Sequence, residues 1–151
     1  MAKNFSQRKG SNGEREVINL LQPVVNRVYS SVGLEPPRLE RNLTQARNGG
    51  YDVVGLEWLA LEIKRQEILS VSKWWEQSLK QAKPHQVPVL LFRQNRTKWR
   101  VKMFIRIPVG REGAGGWHRT PAILEIKEFL TYFEKRVFHE ITFQVDKTGN
   151  Q

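Results

Sequence analysis

The chain has 151 residues, enough for one domain with a moderate core. It contains no cysteine, which excludes disulfides, thiolate catalysis and cysteine-based zinc sites. Lys and Arg number 25 against 15 Asp and Glu, a net charge of +10 that points to a polyanionic partner but is shared by ribosomal and membrane-surface proteins.

Residues 1–10 are polar and basic and read as a flexible arm, without the apolar run of a signal peptide. A helix is predicted from Ser11 or Asn12, because Ser11-Asn12-Gly13-Glu14 fits a capping box in which Glu14 folds back on open amides. Val17, Leu21, Val24 and Val28 follow at helical spacing, with Ile18 and Val25 widening the stripe; Pro23 should kink or split it. Glu35-Pro36-Pro37 is a loop, and Arg38 to Leu43 reads as a short edge strand. Ala46 to Gly50 reads as a flexible turn whose glycines let another backbone approach. Tyr51–Gly55 and Leu59–Lys64 are predicted as two strands of a tight hairpin.

A second helix should open at Ser70 or Ser72 and run to Lys83, where Pro84 stops it. Val87 to Phe92 is a largely apolar strand, as in a sheet covered on both faces. Trp99 to Ile107 alternates and predicts a strand with one wetter face. Gly110 to Gly116 is glycine-rich and reads as a mobile loop. Ala122 to Arg136 looks helical, with Ile123, Ile126, Leu130 and Phe133 on one stripe, and Phe138 to Val145 alternates like a final strand. No stretch approaches the roughly 20 apolar residues of a membrane span. The expectation is a cytoplasmic α/β protein: a mixed sheet of about five strands flanked by helices over residues 11–107, with residues 108–151 as an extension packed on that core.

Chemistry concentrates at Asp52 and Glu62-Ile63-Lys64. Residues two apart on a strand share a face, so Glu62 and Lys64 lie side by side, and a hairpin would bring Asp52 to them. Two carboxylates and an ammonium converging on one point can hold a divalent metal and steady a water beside a phosphate. The charge is also uneven. Residues 1–107 hold 19 basic and 9 acidic side chains and carry the whole excess, whereas residues 108–151 hold 6 of each. A basic field on one part of a small domain is the footprint of a nucleic-acid binder.

Four segments in this order resemble the PD-(D/E)xK nuclease superfamily, and within it the archaeal-type Holliday-junction resolvases, relatives of which are phage-encoded. They are Lys9-Gly10-Ser11-Asn12-Gly13-Glu14-Arg15-Glu16, Gly50-Tyr51-Asp52-Val53-Val54, Leu61-Glu62-Ile63-Lys64 and Gln86-Val87-Pro88-Val89-Leu90-Leu91-Phe92. The resemblance covers about residues 8–107 and implies a restriction-endonuclease-like core. By that resemblance Asp52, Glu62 and the backbone carbonyl of Ile63 would bind Mg²⁺, with Mn²⁺ able to substitute. Glu14 would join them directly or through water, and Lys64 would position the attacking water or cover phosphorane charge. It further implies a homodimeric endonuclease of DNA recombination and repair that cuts four-way junctions, leaving 5′-phosphate and 3′-hydroxyl ends. A less selective phage or restriction-type enzyme and a non-catalytic basic nucleic-acid-binding protein are the competing expectations.

Plainer roles exist for the same residues. Glu14 serves equally as a capping residue, Glu16 as a solvated or ion-paired helix residue, and Glu62–Lys64 as an ion pair worth under about 1 kcal/mol if exposed. Trp74 and Trp75 are adjacent, so one is expected in the core and the other at a dimer contact or on DNA. Gln77 and Gln81 lie one turn apart and could orient a phosphate, though a solvated face is the plainer expectation. Arg8, Lys9, Arg41, Arg47 and Lys73 are the expected DNA-backbone contacts. For the dimer, the candidates are Val87–Phe92, a tryptophan of the second helix and the C-terminal extension. His85, His118 and His139 have no metal-ligand spacing and read as surface residues.

Overall fold

A computed structural model describes residues 2–44 and 50–149, and the side chains of residues 9–44 and 50–147. Helix α1 (Ala2–Ser31) is followed by two short strands, β1 (Glu40–Arg41) and β2 (Val53–Val54), and then by β3 (Leu59–Arg65). Helix α2 (Val71–Gln81), strands β4 (Val87–Arg93), β5 (Arg100–Pro108) and β6 (Trp117–Glu125), and helix α3 (Ile126–Gly149) complete the chain. The main sheet has the order β3-β4-β5-β6, parallel between β3 and β4 and antiparallel across β5 and β6. The parallel pair needs a crossover, and α2 supplies it. Strands β1 and β2 form a separate antiparallel pair beside β3.

Alternation along the strands sorts the core into two layers. Leu59, Leu61 and Ile63 of β3, Val89 and Leu91 of β4, and Val101 and Met103 of β5 face α1 and α3. The α1 stripe of Val17, Leu21, Val24, Val25 and Val28 meets Phe129, Phe133, Val137 and Ile141 of α3 in that layer. Leu90 and Phe92 point the other way, onto Trp74 and Trp75 of α2. Strand β4 is therefore covered on both faces, as its apolar run predicts. Pro88 is accommodated because β4 pairs with β5 only from Val89 onward, so its missing amide leaves no gap in that ladder.

Gly13 sits where α1 crosses β3. A Cβ there would lie 3.2 Å from Arg65 Cβ and 3.7 Å from Ile63 Cγ2, so the glycine permits the close approach. Gly55, after β2, has φ +127° and a built Cβ would come within 2.8 Å of the Arg38 carbonyl. Only glycine suits that turn.

Several expectations are corrected. Helix α1 begins at Ala2 and runs through Ser11, so residues 2–10 are its first turns and Ser11 is no cap. It also continues unbroken past Pro23, because its apolar stripe is packed on both sides of the residue that lacks a donor. The segments around Asp52 and Glu62 do not form a ladder: β2 pairs with β1 instead. Trp117–Glu125, expected as helix from Ala122, is a strand paired with β5 from Arg100↔Glu125 to Pro108↔Trp117. The predicted last strand, residues 138–145, is the second half of α3, since Val137 and Ile141 continue the four-residue spacing of Phe129 and Phe133 into the core. Both Trp74 and Trp75 are buried, and β4 is an interior strand, so neither offers a dimer surface. Among the described residues no helix is long and apolar enough to cross a membrane.

Candidate active site

Glu62 points to the α2 side of β3, opposite Leu61 and Ile63, which face α1. It is 1% exposed and Asp52 6%. Carboxylates this deep need partners, because an unpaired buried charge costs several kcal/mol.

Glu62 has a partner on each oxygen. Lys64 Nζ, on the same strand face, lies 2.6 Å from Glu62 Oε1. With the Gln81 amide turned so that both its ends are satisfied, its nitrogen donates to Glu62 Oε2 at 2.7 Å and to the Gly50 carbonyl at 3.2 Å. The Gln81 oxygen then accepts from Gln77 Nε2 at 3.1 Å. Helix α2 thus reaches into the site with two amides, and the expected solvated face for Gln77 and Gln81 is corrected. The signal was in the sequence: Trp74, Gln77, Ser78 and Gln81 recur at the three- and four-residue spacing of one helix face, and Trp74 and Ser78 are buried on it.

Asp52 stands at a fork in the backbone. Its N–H donates to the Leu61 carbonyl at 2.8 Å, and its carbonyl accepts from the Asn42 N–H at 2.8 Å. Its Oδ2 accepts from the Ile63 N–H at 2.6 Å, a charge-assisted bond that seats the carboxylate against the strand carrying Glu62. Asn42 Nδ2 also donates to the Tyr51 carbonyl at 2.9 Å, fastening this segment to the end of β1. One backbone bond and one carboxylate bond therefore do what a hairpin ladder was expected to do.

Glu14, on α1, has a partner of its own. Its Oε2 accepts from Arg41 Nε, and Arg41 pairs in register with Val53, the residue after Asp52. Glu14 is thereby tied to the β1–β2 pair. Among the described residues no three His, Asp or Glu side chains gather as a metal cluster. Glu16 is ion-paired: Arg65 Nη1 lies 2.8 Å from its Oε1 and Arg93 Nη2 2.8 Å from its Oε2, which clamps α1 to β3 and β4.

Among the expected DNA contacts, Arg41 is committed to Glu14, Lys9 lies 3.9 Å from Glu67, and Lys73 is exposed on α2. The Arg8 side chain and Arg47 lie outside the described residues. His85, in the turn before β4, His118, on β6, and His139, on α3, are all exposed and far apart in the sequence. Chemically, the site offers hard oxygen donors from Asp52 and Glu62, an ammonium 2.6 Å from one of them, and amide donors that fix their orientation. Compared with protein-family models, curated proteins and solved structures, the chain has no match.

Proposed function

We propose that this chain is a divalent-metal-dependent DNA endonuclease with a PD-(D/E)xK-type site at Asp52, Glu62 and Lys64. The observation that carries the reading is the burial of Asp52 and Glu62 on converging segments, with Lys64 and Gln81 both turned onto Glu62. An ion pair in this position is poor value for stability, since well-packed apolar residues serve a sheet at least as well. Buried charges that break an otherwise consistent core pattern are expected where chemistry is done.

The donor set fits Mg²⁺ or Mn²⁺: two carboxylates and the Ile63 carbonyl are hard oxygen ligands, with Glu14, held by Arg41, as the outer member. Bound there, the ion would supply Lewis acidity at the phosphoryl oxygen and a water of lowered pKa. The chain's own residues do the rest. Ile63 N–H holds the Asp52 carboxylate in place, and Gln81, braced by Gln77, holds Glu62. Lys64 carries a positive charge where negative charge grows in the pentavalent transition state and donates to the attacking water.

Selectivity for four-way junctions is the finer part of the proposal and rests on the four-segment resemblance. Paired cuts across a junction call for two equivalent sites, which a two-fold dimer supplies. Of the three interfaces considered, α3 retains exposed apolar side chains, Phe138, Phe143 and Val145. The test is cleavage of an end-labelled four-way junction and a linear duplex of matched sequence with Mg²⁺, beside Asp52→Asn. Symmetric nicks on the junction alone, absent in the variant, are expected. Equal cutting of both substrates removes the junction selectivity, and no cutting with Mg²⁺ or Mn²⁺ despite intact binding removes the nuclease.

A further inference from the structure

Strands β5 and β6 pair over nine residues a side; β4 flanks β5 over Arg100–Met103, and beyond it Phe104–Pro108 and Trp117–Pro121 run on as a two-stranded ribbon, about 17 Å long at the usual rise per residue. Residues directly opposite in an antiparallel pair share a face. Arg100, Lys102, Phe104 and Arg106 therefore share one with Glu125, Ile123, Pro121 and Arg119, and Pro108 shares it with Trp117. Phe104 packs with the Trp74–Trp75 cluster, so this is the α2 side of the sheet, the side to which Glu62 and Lys64 also point.

Four cations stand on that face. Arg100 lies over the Phe92 ring at 4.9 Å, Lys102 over Trp75 at 5.7 Å and Arg119 over Phe104 at 3.5 Å. Three of the charges thus lie over aromatic rings of this face. None of the four is in an ion pair among the described residues, although Glu125 stands opposite Arg100 at the base of the ribbon. Arg106 pairs directly with Arg119, a like-charge juxtaposition that destabilises a sheet unless an anion is near. At the tip, Trp117 is 60% exposed on the same face.

We propose that this face of the β5–β6 ribbon is a docking surface for a DNA duplex, gripping phosphates through Arg100, Lys102, Arg106 and Arg119 and placing Trp117 against bases or sugars. The free two-stranded end, with Arg106, Arg119 and Trp117, has the width the major groove accepts, and Arg100 and Lys102 continue the positive face onto the sheet behind it. With strands about 4.8 Å apart, β5 and β6 lie about 10 and 14 Å from β3, a few phosphate spacings from Glu62. Helix α2 lies between, and its outer surface carries the exposed Lys73 and Lys80, along with Glu76. The ribbon rests on the nuclease reading only for the choice of DNA as ligand.

Anisotropy of a short fluorescein-labelled DNA duplex, in EDTA and over a series of salt concentrations, tests this without cleavage. Arg106→Ala/Arg119→Ala should weaken binding and lower the slope of log K against log salt by about 1.8, at about 0.9 per lost phosphate contact. Trp117→Ala should weaken binding with the slope unchanged. Lys127→Ala/Lys135→Ala, which removes the same charge from exposed positions on α3, should leave the slope at the wild-type value. Wild-type affinity and slope in the ribbon variant, an equal loss in the α3 variant, or equally tight binding of polyglutamate would each overturn the proposal. Ribbon-dependent binding without Mg²⁺-dependent cleavage supports the ribbon and removes the nuclease; cleavage with ribbon-independent binding does the reverse.

Discussion

Glu62 shows how much a single residue can say about a site. Its two oxygens are held by Lys64 at 2.6 Å and Gln81 at 2.7 Å in a position with 1% exposure. Lys64→Met would strip one partner from a buried carboxylate. Such a loss costs about 3–5 kcal/mol when both groups are fully buried, and the Lys64 side chain is 20% exposed, so about 2–3 kcal/mol is the expected cost. Glu62→Gln/Lys64→Met should recover most of it, and urea melts of the two variants and wild type measure the difference. A single variant within about 0.5 kcal/mol of wild type would mean the ion pair has no such role. The strand period alone placed Glu62 beside Lys64. Gln81 was harder to place, because its partners, Gly50 and Glu62, come from distant segments that sequence spacing cannot bring together.

At the scale of elements, α3 shows where periodicity misleads. Ile141, Phe143 and Val145 alternate like a strand, yet Phe129, Phe133, Val137 and Ile141 recur every four residues and all are buried. The buried stripe decides, because burying those rings outweighs any local preference for a strand. Phe133→Ala should therefore cost about 3–5 kcal/mol in chemical denaturation. Phe143→Ala, at a half-exposed position, should cost under about 0.5 kcal/mol. Similar costs at both sites would contradict the helical packing. Strand β6 was illegible for the opposite reason. Pro121 and the polar run Trp117-His118-Arg119-Thr120 carry no apolar pattern, because an edge strand needs a partner on one side only and tolerates proline.

Across the whole molecule, the sheet sets the site. The parallel β3–β4 pair fixes α2 over Glu62, while β1 and β2 hold Asp52 at the outer edge of β3. The α/β class, the second helix and the apolar β4 were legible because their patterns are local. Asp52 reaches the strand of Glu62 through a fork in the backbone that no spacing encodes, and the capture of Glu14 by Arg41 spans 27 residues of chain. The central claim, that Asp52 and Glu62 hold a divalent ion, is tested most directly by thermal melts of the protein with increasing Mn²⁺, free of DNA. Wild type should gain stability with concentration, by about 2.7 kcal/mol at a hundredfold excess over Kd, and Asp52→Asn and Glu62→Gln should not. An equal gain in all three, or none in wild type, would contradict the account.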